Sequence, residues 1–248
     1  MSITNRYSLT INRVPNDKLN HKEILPVPVL PFCVDLRNKC PPIYDQGLLG
    51  SCTANALACI FEFDNGNAFM PSRLFIYYNE RVLENDILQD AGASLTDGIK
   101  TLEKYGVCPE TMWPYDITKF AVKPTDSCYT EALNYTAITV ANIQQNEQVM
   151  KSCLASGFPF VVGINIYTSF ESDNVSMNGI VPMPNIQTEV CLGGHAIVCV
   201  GYNETQWIMR NSWGIGWGDK GYFYLPYQYL LDSTLSSDLW DITKIKNH

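Results

Sequence analysis

The sequence predicts an α+β chain in two lobes, and three observations carry that reading. Apolar residues recur at helical spacing through the first half, β-branched and aromatic runs dominate the second, and 46% hydrophobic with 12% aromatic residues over 248 positions supplies core for one large domain or two lobes sharing a cleft. Residues 1 to 33 read as a polar arm ending in an extended strap, Leu25-Pro-Val-Pro-Val-Leu-Pro31, because each proline biases its predecessor away from helix. From Ser51 to Asp64, Ala56, Cys59, Ile60 and Phe63 fall on one helix face, with Ser51 as the expected N-cap. A second helix is expected from Pro71, a first-turn residue, through Leu74, Tyr77, Tyr78 and Val82. A third runs from Ser94 or Thr96 to Tyr105 and stops at Gly106. Strands are expected at 137–140, 160–166, 196–202, 207–209 and 222–225, interrupted by one helix over 147–155.

Charge and cysteine usage narrow the function classes. The 17 basic against 25 acidic residues give a net charge of −8, without the basic footprint of a nucleic-acid or anionic-membrane binder. No apolar run approaches the roughly 20 residues of a bilayer span, and no signal-peptide pattern opens the sequence. A cytoplasmic or non-classically exported monomer is therefore expected. The acidic stretch Glu84 to Asp90 reads as a solvated face. Nine cysteines are an odd number, so at least one thiol stays unpaired within a monomer.

Three histidines exist, His21, His195 and His248, and His195 alone is embedded between strand-like residues, in Leu192-Gly-Gly-His195-Ala-Ile-Val. No Cys-x-x-Cys pair is present, so structural zinc is not expected and no metal or other cofactor is called for. Cys52 stands out as a nucleophile candidate because a Gly47-Leu-Leu-Gly50 loop delivers it to a helix start, where the dipole favours thiolate. Spacing alone leaves a structural Cys52 equally open. Cys59, two turns on, reads as a small buried hydrophobe, and Cys33, Cys40, Cys108, Cys128, Cys153, Cys191 and Cys199 are left as structural with no pairing assigned.

Three strings taken together resemble the papain-like cysteine proteases: Asp45-Gln46-Gly-Leu-Leu-Gly-Ser51-Cys52, Gly194-His195-Ala196, and Arg210-Asn211-Ser212-Trp213-Gly214-Ile-Gly-Trp217-Gly218-Asp-Lys-Gly221-Tyr222. They fall in the family's order. His195 follows Cys52 by 143 residues, inside the roughly 130 to 150 expected, and Asn211 follows 16 later. The resemblance spans residues 33 to about 225 and implies a catalytic domain over 34–248, with a helical lobe over about 44–132 and a β-barrel-like lobe over about 133–235. It is similar above all to a compact branch found in bacteria and large DNA viruses, which shares Gly-Ser-Cys-Thr-Ala-Asn and a short N-terminal arm; packaging in a virion follows if the source is viral.

The same resemblance implies roles. Cys52 would be the thiolate nucleophile and His195 its ion-pair partner and proton donor; Asn211 would orient the imidazole, and Trp213 would shield that contact. Gln46 and the Cys52 backbone N–H would form the oxyanion hole. Gly92, Ala93, Gly194 and Trp217 would contact a peptide substrate. Two departures are notable: Thr53 replaces the usual aromatic, and Leu49 replaces a cysteine of a common family disulfide. The histidine pair of a cathepsin B-type carboxydipeptidase is missing, so endopeptidase action is expected over an exopeptidase or a catalytically silent binding protein. An arm of about 33 residues is too short for a long helical prodomain. It is expected to act as a short propeptide or cleft-covering segment, with the strap from about Asn16 to Pro31 at the cleft.

Overall fold

The computed structural model describes residues 7–10 and 29–246. After a two-residue strand, β1 (Val34–Asp35), the first half holds the helices α1 (Cys52–Asp64), α2 (Arg73–Glu84), α3 (Leu95–Lys104) and α4 (Asp126–Ala132). The second half holds β2 (Ala137–Asn142), α5 (Glu147–Ala155), β3 (Phe160–Tyr167), α6 (Asp173–Asn178), β4 (Cys191–Tyr202), β5 (Gln206–Arg210), β6 (Tyr222–Pro226), α7 (Tyr227–Leu231) and β7 (Ser236–Ile245).

Capping side chains set where several helices start. Ser72, Ser94 and Asn146 accept from the backbone N–H groups of Phe75, Asp97 and Val149, each satisfying an orphan donor of the first turn. Pro71 consequently lies outside α2, in a bridge with Pro109, rather than in its first turn. Ser51 precedes α1 without capping it through its side chain. Its hydroxyl pairs instead with Tyr115 and Asn55. α1 is buried on nearly every side from Cys52 to Glu62, so the face of Ala56, Cys59, Ile60 and Phe63 read from spacing is only part of its buried surface.

One antiparallel sheet runs β2-β7-β3-β4-β5-β6, with β1 added to β4. Its two faces carry the two cores. Along β4, Ala196, Val198 and Val200 join Leu57 and Ile60 of α1, Leu74 and Phe75 of α2 and Leu102 of α3. The alternating Ile197 and Cys199 join Met150 and Leu154 of α5 and Leu230 of α7 on the other face. A sheet covered on both faces reads as a near-continuous apolar run, as β4 does. Arg210, buried at the end of β5, donates from Nη1 to Pro41 O at 2.6 Å and from Nη2 to Pro42 O, fastening the prolines that lead into the helical half.

Three short helices and two strands, β1 and β7, go beyond the sequence-based expectation. α4, α6 and α7 have seven, six and five residues, too few to show a helical period. β7 carries the strand-rich half past residue 235 and lies between β2 and β3, with Val161 opposite Trp240. Its buried Ser236 and Asp241 break the apolar pattern that would have announced it. Trp240 is 2% exposed in the helix-facing core. Trp240→Ala should therefore cost about 3 to 5 kcal/mol, read as a lowered denaturant midpoint; a loss below about 1 kcal/mol would mean that β7 is dispensable to the core.

Candidate active site

The loop before α1 is sewn to the segment after β5. Gln46 N donates to Ser212 O at 2.9 Å, Ser212 Oγ donates to Gln46 Oε1 at 2.6 Å, and Gly214 N donates to Tyr44 O at 3.0 Å. The Gln46 side-chain Nε2 also donates to Leu49 O at 3.0 Å, so the buried amide is held at both ends. Gly50 N donates to both carboxylate oxygens of Asp90, at 3.0 and 3.2 Å, and Tyr77 donates to the same group at 2.5 Å. Asp90 is thus a tie for the loop that leads into Cys52. Glu84 likewise accepts from Ser94 N at 2.8 Å, so the stretch from 84 to 90 is a set of structural anchors more than a solvated face.

Cys52 is the first residue of α1 and fully buried. His195 sits on β4 opposite Ile164. Its Nε2 lies 2.8 Å from Asn211 Oδ1. That oxygen also accepts from Ser212 N at 2.8 Å, which fixes the amide orientation; an oxygen can only accept, so Nε2 carries the proton. Trp213 stacks on the imidazole with ring centroids 4.8 Å apart at 26°, and is itself 8% exposed. The Cys52 thiol meets the backbone of Ala196, the residue after His195, and the backbone of Ser8. Burial pushes the thiol up to about 12, outweighing the backbone contacts of Ala196, Thr53 and Ser8 that act downward. Burial beneath the arm thus works against the thiolate that the resemblance implies for Cys52.

The covering is the N-terminal arm. Ser8 pairs with Gly194 and Leu9 with Ala93 in parallel bridges; Leu9 N donates to Gly194 O and Thr10 N to Ala93 O, each at 3.0 Å. The approach requires bare backbone. A Cβ on Gly92, whose φ is +82°, would lie 1.5 Å from Ser8 O, and one on Gly194 would lie 2.7 Å from Leu9 O. Leu9 is 8% exposed and packs into the helix-facing core beside Gly163; Tyr7 meets Trp213 edge-on at 5.8 Å and His195 at 6.2 Å.

Of the sequence-derived candidates, Gln46, Cys52, His195, Asn211 and Trp213 converge at this place, and Gly92, Ala93 and Gly194 line the groove the arm fills. Trp217 does not join the groove through these contacts: it packs against Trp213, Phe170 and Phe223, supporting the tryptophan that covers His195. The covering segment was expected between Asn16 and Pro31; residues 16–28 of that strap, like His21 and His248, lie outside the described residues. The alternation of Tyr7, Leu9 and Ile11 was the available signal for an added strand. Asp90 and Ser212 carried none, since their partners are remote in sequence. All nine cysteines are free thiols, with Cys33 and Cys191 exposed and Cys59 buried.

The papain family cysteine protease profile matches residues 30–233. The chain belongs to the papain family of cysteine proteases. It is 48% identical over 216 residues to the peptidase C1-like protein L477 of Acanthamoeba polyphaga mimivirus, covering 81% of this chain and 69% of that one. A cathepsin L-like peptidase of Aedes aegypti is 28% identical over 207 residues, covering 78% and 58%, so this chain spans less than two thirds of that relative. Among solved structures, xylellain, a cysteine protease from Xylella fastidiosa, superposes with a TM-score of 0.86 at 38% identity over 98% and 97% of the two chains. Digestive procathepsin L 3 of Tenebrio molitor larval midgut shares the fold, with a TM-score of 0.72 at 18% identity over 96% and 76%. The two-lobed α+β architecture is that of the papain family. Among the described residues no helix is long and apolar enough to cross a membrane.

A thiol buried beneath the arm has a reactivity signature. Alkylation of Cys52 by iodoacetamide in the full chain should be slow and rise steadily from pH 7 to 10, because the raised pKa leaves little thiolate at neutrality. A plateau already reached below pH 6, followed by peptide mapping of Cys52, would show an ion pair formed beneath the arm.

Proposed function

We propose that this papain-family chain is an endopeptidase that uses Cys52, His195 and Asn211. The observation that carries the reading is the 2.8 Å contact from His195 Nε2 to Asn211 Oδ1 under Trp213, one residue from the strand position that meets the Cys52 thiol. With the arm displaced, water and substrate reach Cys52, and loss of the Cys52 proton to His195 Nδ1 yields thiolate and imidazolium. Sγ attacks the peptide carbonyl carbon, and the oxyanion takes hydrogen bonds from the Cys52 backbone N–H and the Gln46 side-chain amide. The C–N bond breaks as His195 passes its proton to the leaving amine. Water then attacks the thioester, giving its proton to His195, and the acid product leaves with Cys52 restored. Asn211 holds the ring through Nε2, so Nδ1 stays turned to the sulfur. No step needs a metal or other cofactor.

The substrate is a peptide or protein chain lying along Gly194 and Gly92–Ala93, where backbone hydrogen bonds of the kind made by Leu9 and Thr10 add it as a strand. The arm itself supports a second part of the reading: Tyr7 to Thr10 holds the groove and restrains turnover. Leu9→Asp places a charge in an apolar pocket and should release it.

A peptide blocked at both ends and carrying an internal quenched fluorophore tests the reaction. The full chain with Leu9→Asp should cleave it, and adding Cys52→Ala should abolish cleavage; hydrolysis only of free-ended peptides would place the enzyme among exopeptidases. For the arm, Leu9→Asp and removal of residues 1–28 should each raise turnover at least tenfold over the full chain, with folding checked by thermal melting; the tenfold corresponds to about 1.4 kcal/mol of arm binding. Equal turnover by folded proteins would show that the arm does not restrain the site.

A further inference from the structure

Three residues from α2 and the loop after α3 converge on the two segments that bear the oxyanion donors. Tyr115 Oη donates to the backbone carbonyl of Gln46 at 3.0 Å, and the same oxygen pairs with the hydroxyl of Ser51, the residue before Cys52. Ser51 Oγ in turn accepts from Asn55 Nδ2 at 3.1 Å. The protons therefore run in one direction, from Asn55 N–H to Ser51 O–H to Tyr115 O–H to the Gln46 carbonyl, and a chain so aligned strengthens each member. Burial pushes the Tyr115 phenol upward, which keeps its proton available as a donor. One hydroxyl thus ties the Gln46 backbone to Ser51, the residue before Cys52.

Tyr115 is held in turn. The Arg73 guanidinium lies 4.1 Å from the Tyr115 ring centroid and 5.0 Å from that of Tyr44. Its Nη1 donates to Asp45 O at 3.3 Å and to Asn55 Oδ1 at 3.3 Å, and its Nη2 pairs with Glu110 Oε1 at 2.7 Å. Glu110 also accepts from Tyr115 N at 3.1 Å. The Arg73 side chain is 9% exposed and that of Glu110 16%, so this ion pair is shielded from solvent competition. Arg73 and Tyr115 together hold the consecutive carbonyls of Asp45 and Gln46.

We propose that Tyr115, braced by the Arg73–Glu110 pair, is a positioning residue that sets the separation of the two oxyanion donors. The inference rests on the reading of Gln46 and the Cys52 N–H as those donors. Its chemistry is that of preorganisation: donors aimed in advance contribute fully at the transition state, and donors free to drift contribute less.

Tyr115→Phe removes the hydroxyl and keeps the ring under Arg73. In the full chain carrying Leu9→Asp, it should lower kcat for an anilide peptide about tenfold, a tenth or less of the loss from deleting a donor outright, with KM changed less than twofold. Affinity for a peptide aldehyde, whose thiohemiacetal carries the oxyanion, should fall in parallel. The rate of Cys52 alkylation by iodoacetamide, which forms no oxyanion, should not change. In a Gln46→Ala background the same substitution should change kcat less than twofold, because the donor it positions is gone. Arg73→Lys, which keeps charge but loses the fork, should repeat the pattern if Tyr115→Phe proves too unstable to assay. Unchanged kcat, a fall that persists in the Gln46→Ala background, or a matching fall in alkylation would each overturn the inference. A Gln46→Ala variant as active as its parent would instead remove the donor reading, and the inference with it.

Discussion

The cleft depends on one seam of hydrogen bonds, between the loop that ends at Cys52 and the segment that follows β5. Gln46 and Ser212, 166 positions apart in the chain, exchange two bonds across it, backbone to backbone and side chain to side chain. Asn211, the neighbour of Ser212, orients His195, while Gln46 opens the loop that delivers Cys52. The seam therefore holds Cys52, His195 and Asn211, the proposed nucleophile, base and orienting amide, in one frame. Both partners are buried, so water does not compete for these bonds, and breaking either leaves a buried polar group unsatisfied.

Around that seam the fold is arranged to keep polar chemistry dry. The sheet is covered on both faces, and the helix that begins at Cys52 packs against β4, the strand that carries His195. Trp213 and Trp217, with Phe170 and Phe223 behind them, close the solvent side of the His195–Asn211 contact. Low local polarity strengthens the hydrogen bond that fixes the imidazole tautomer. The same dryness, once the arm is seated, favours the neutral thiol at Cys52. In the proposed mechanism covering and activation thus oppose each other through a single physical variable, the access of water to the sulfur.

The groove shows a similar economy. Gly92 and Gly194 leave their backbone bare on opposite walls, and the Leu9 and Thr10 amides find carbonyls there without side chains intervening. Such a groove reads main chain, so it accepts an arm of this chain by the interactions that would accept a substrate. Xylellain, a bacterial relative, shares this fold over nearly the whole of both chains.

Much of the site was legible in the sequence because its residues come in short strings. Gln46 through Cys52, Gly194 through Ala196 and Asn211 through Tyr222 each hold several candidate positions within one turn or strand end, and their resemblance to the papain-like proteases, rather than spacing, singled them out. The long helices and central strands were legible because their periods repeat within the element. What tertiary structure alone decided lies between remote segments. Asp90 reads as a surface acid until Gly50 and Tyr77 are folded onto it, and Tyr115 reads as a loop aromatic until Gln46 and Ser51 meet its hydroxyl. β7 hid behind its own buried polar residues, and Tyr7 to Thr10, which sit in the groove, form a stretch whose brief alternation acquires meaning only against the bare walls there. The amino-acid sequence by itself determined the family and the candidate reactive groups, because both lie in local strings; the folded chain decided the hydration and aim of those groups, because these depend on which distant atoms exclude water and share protons.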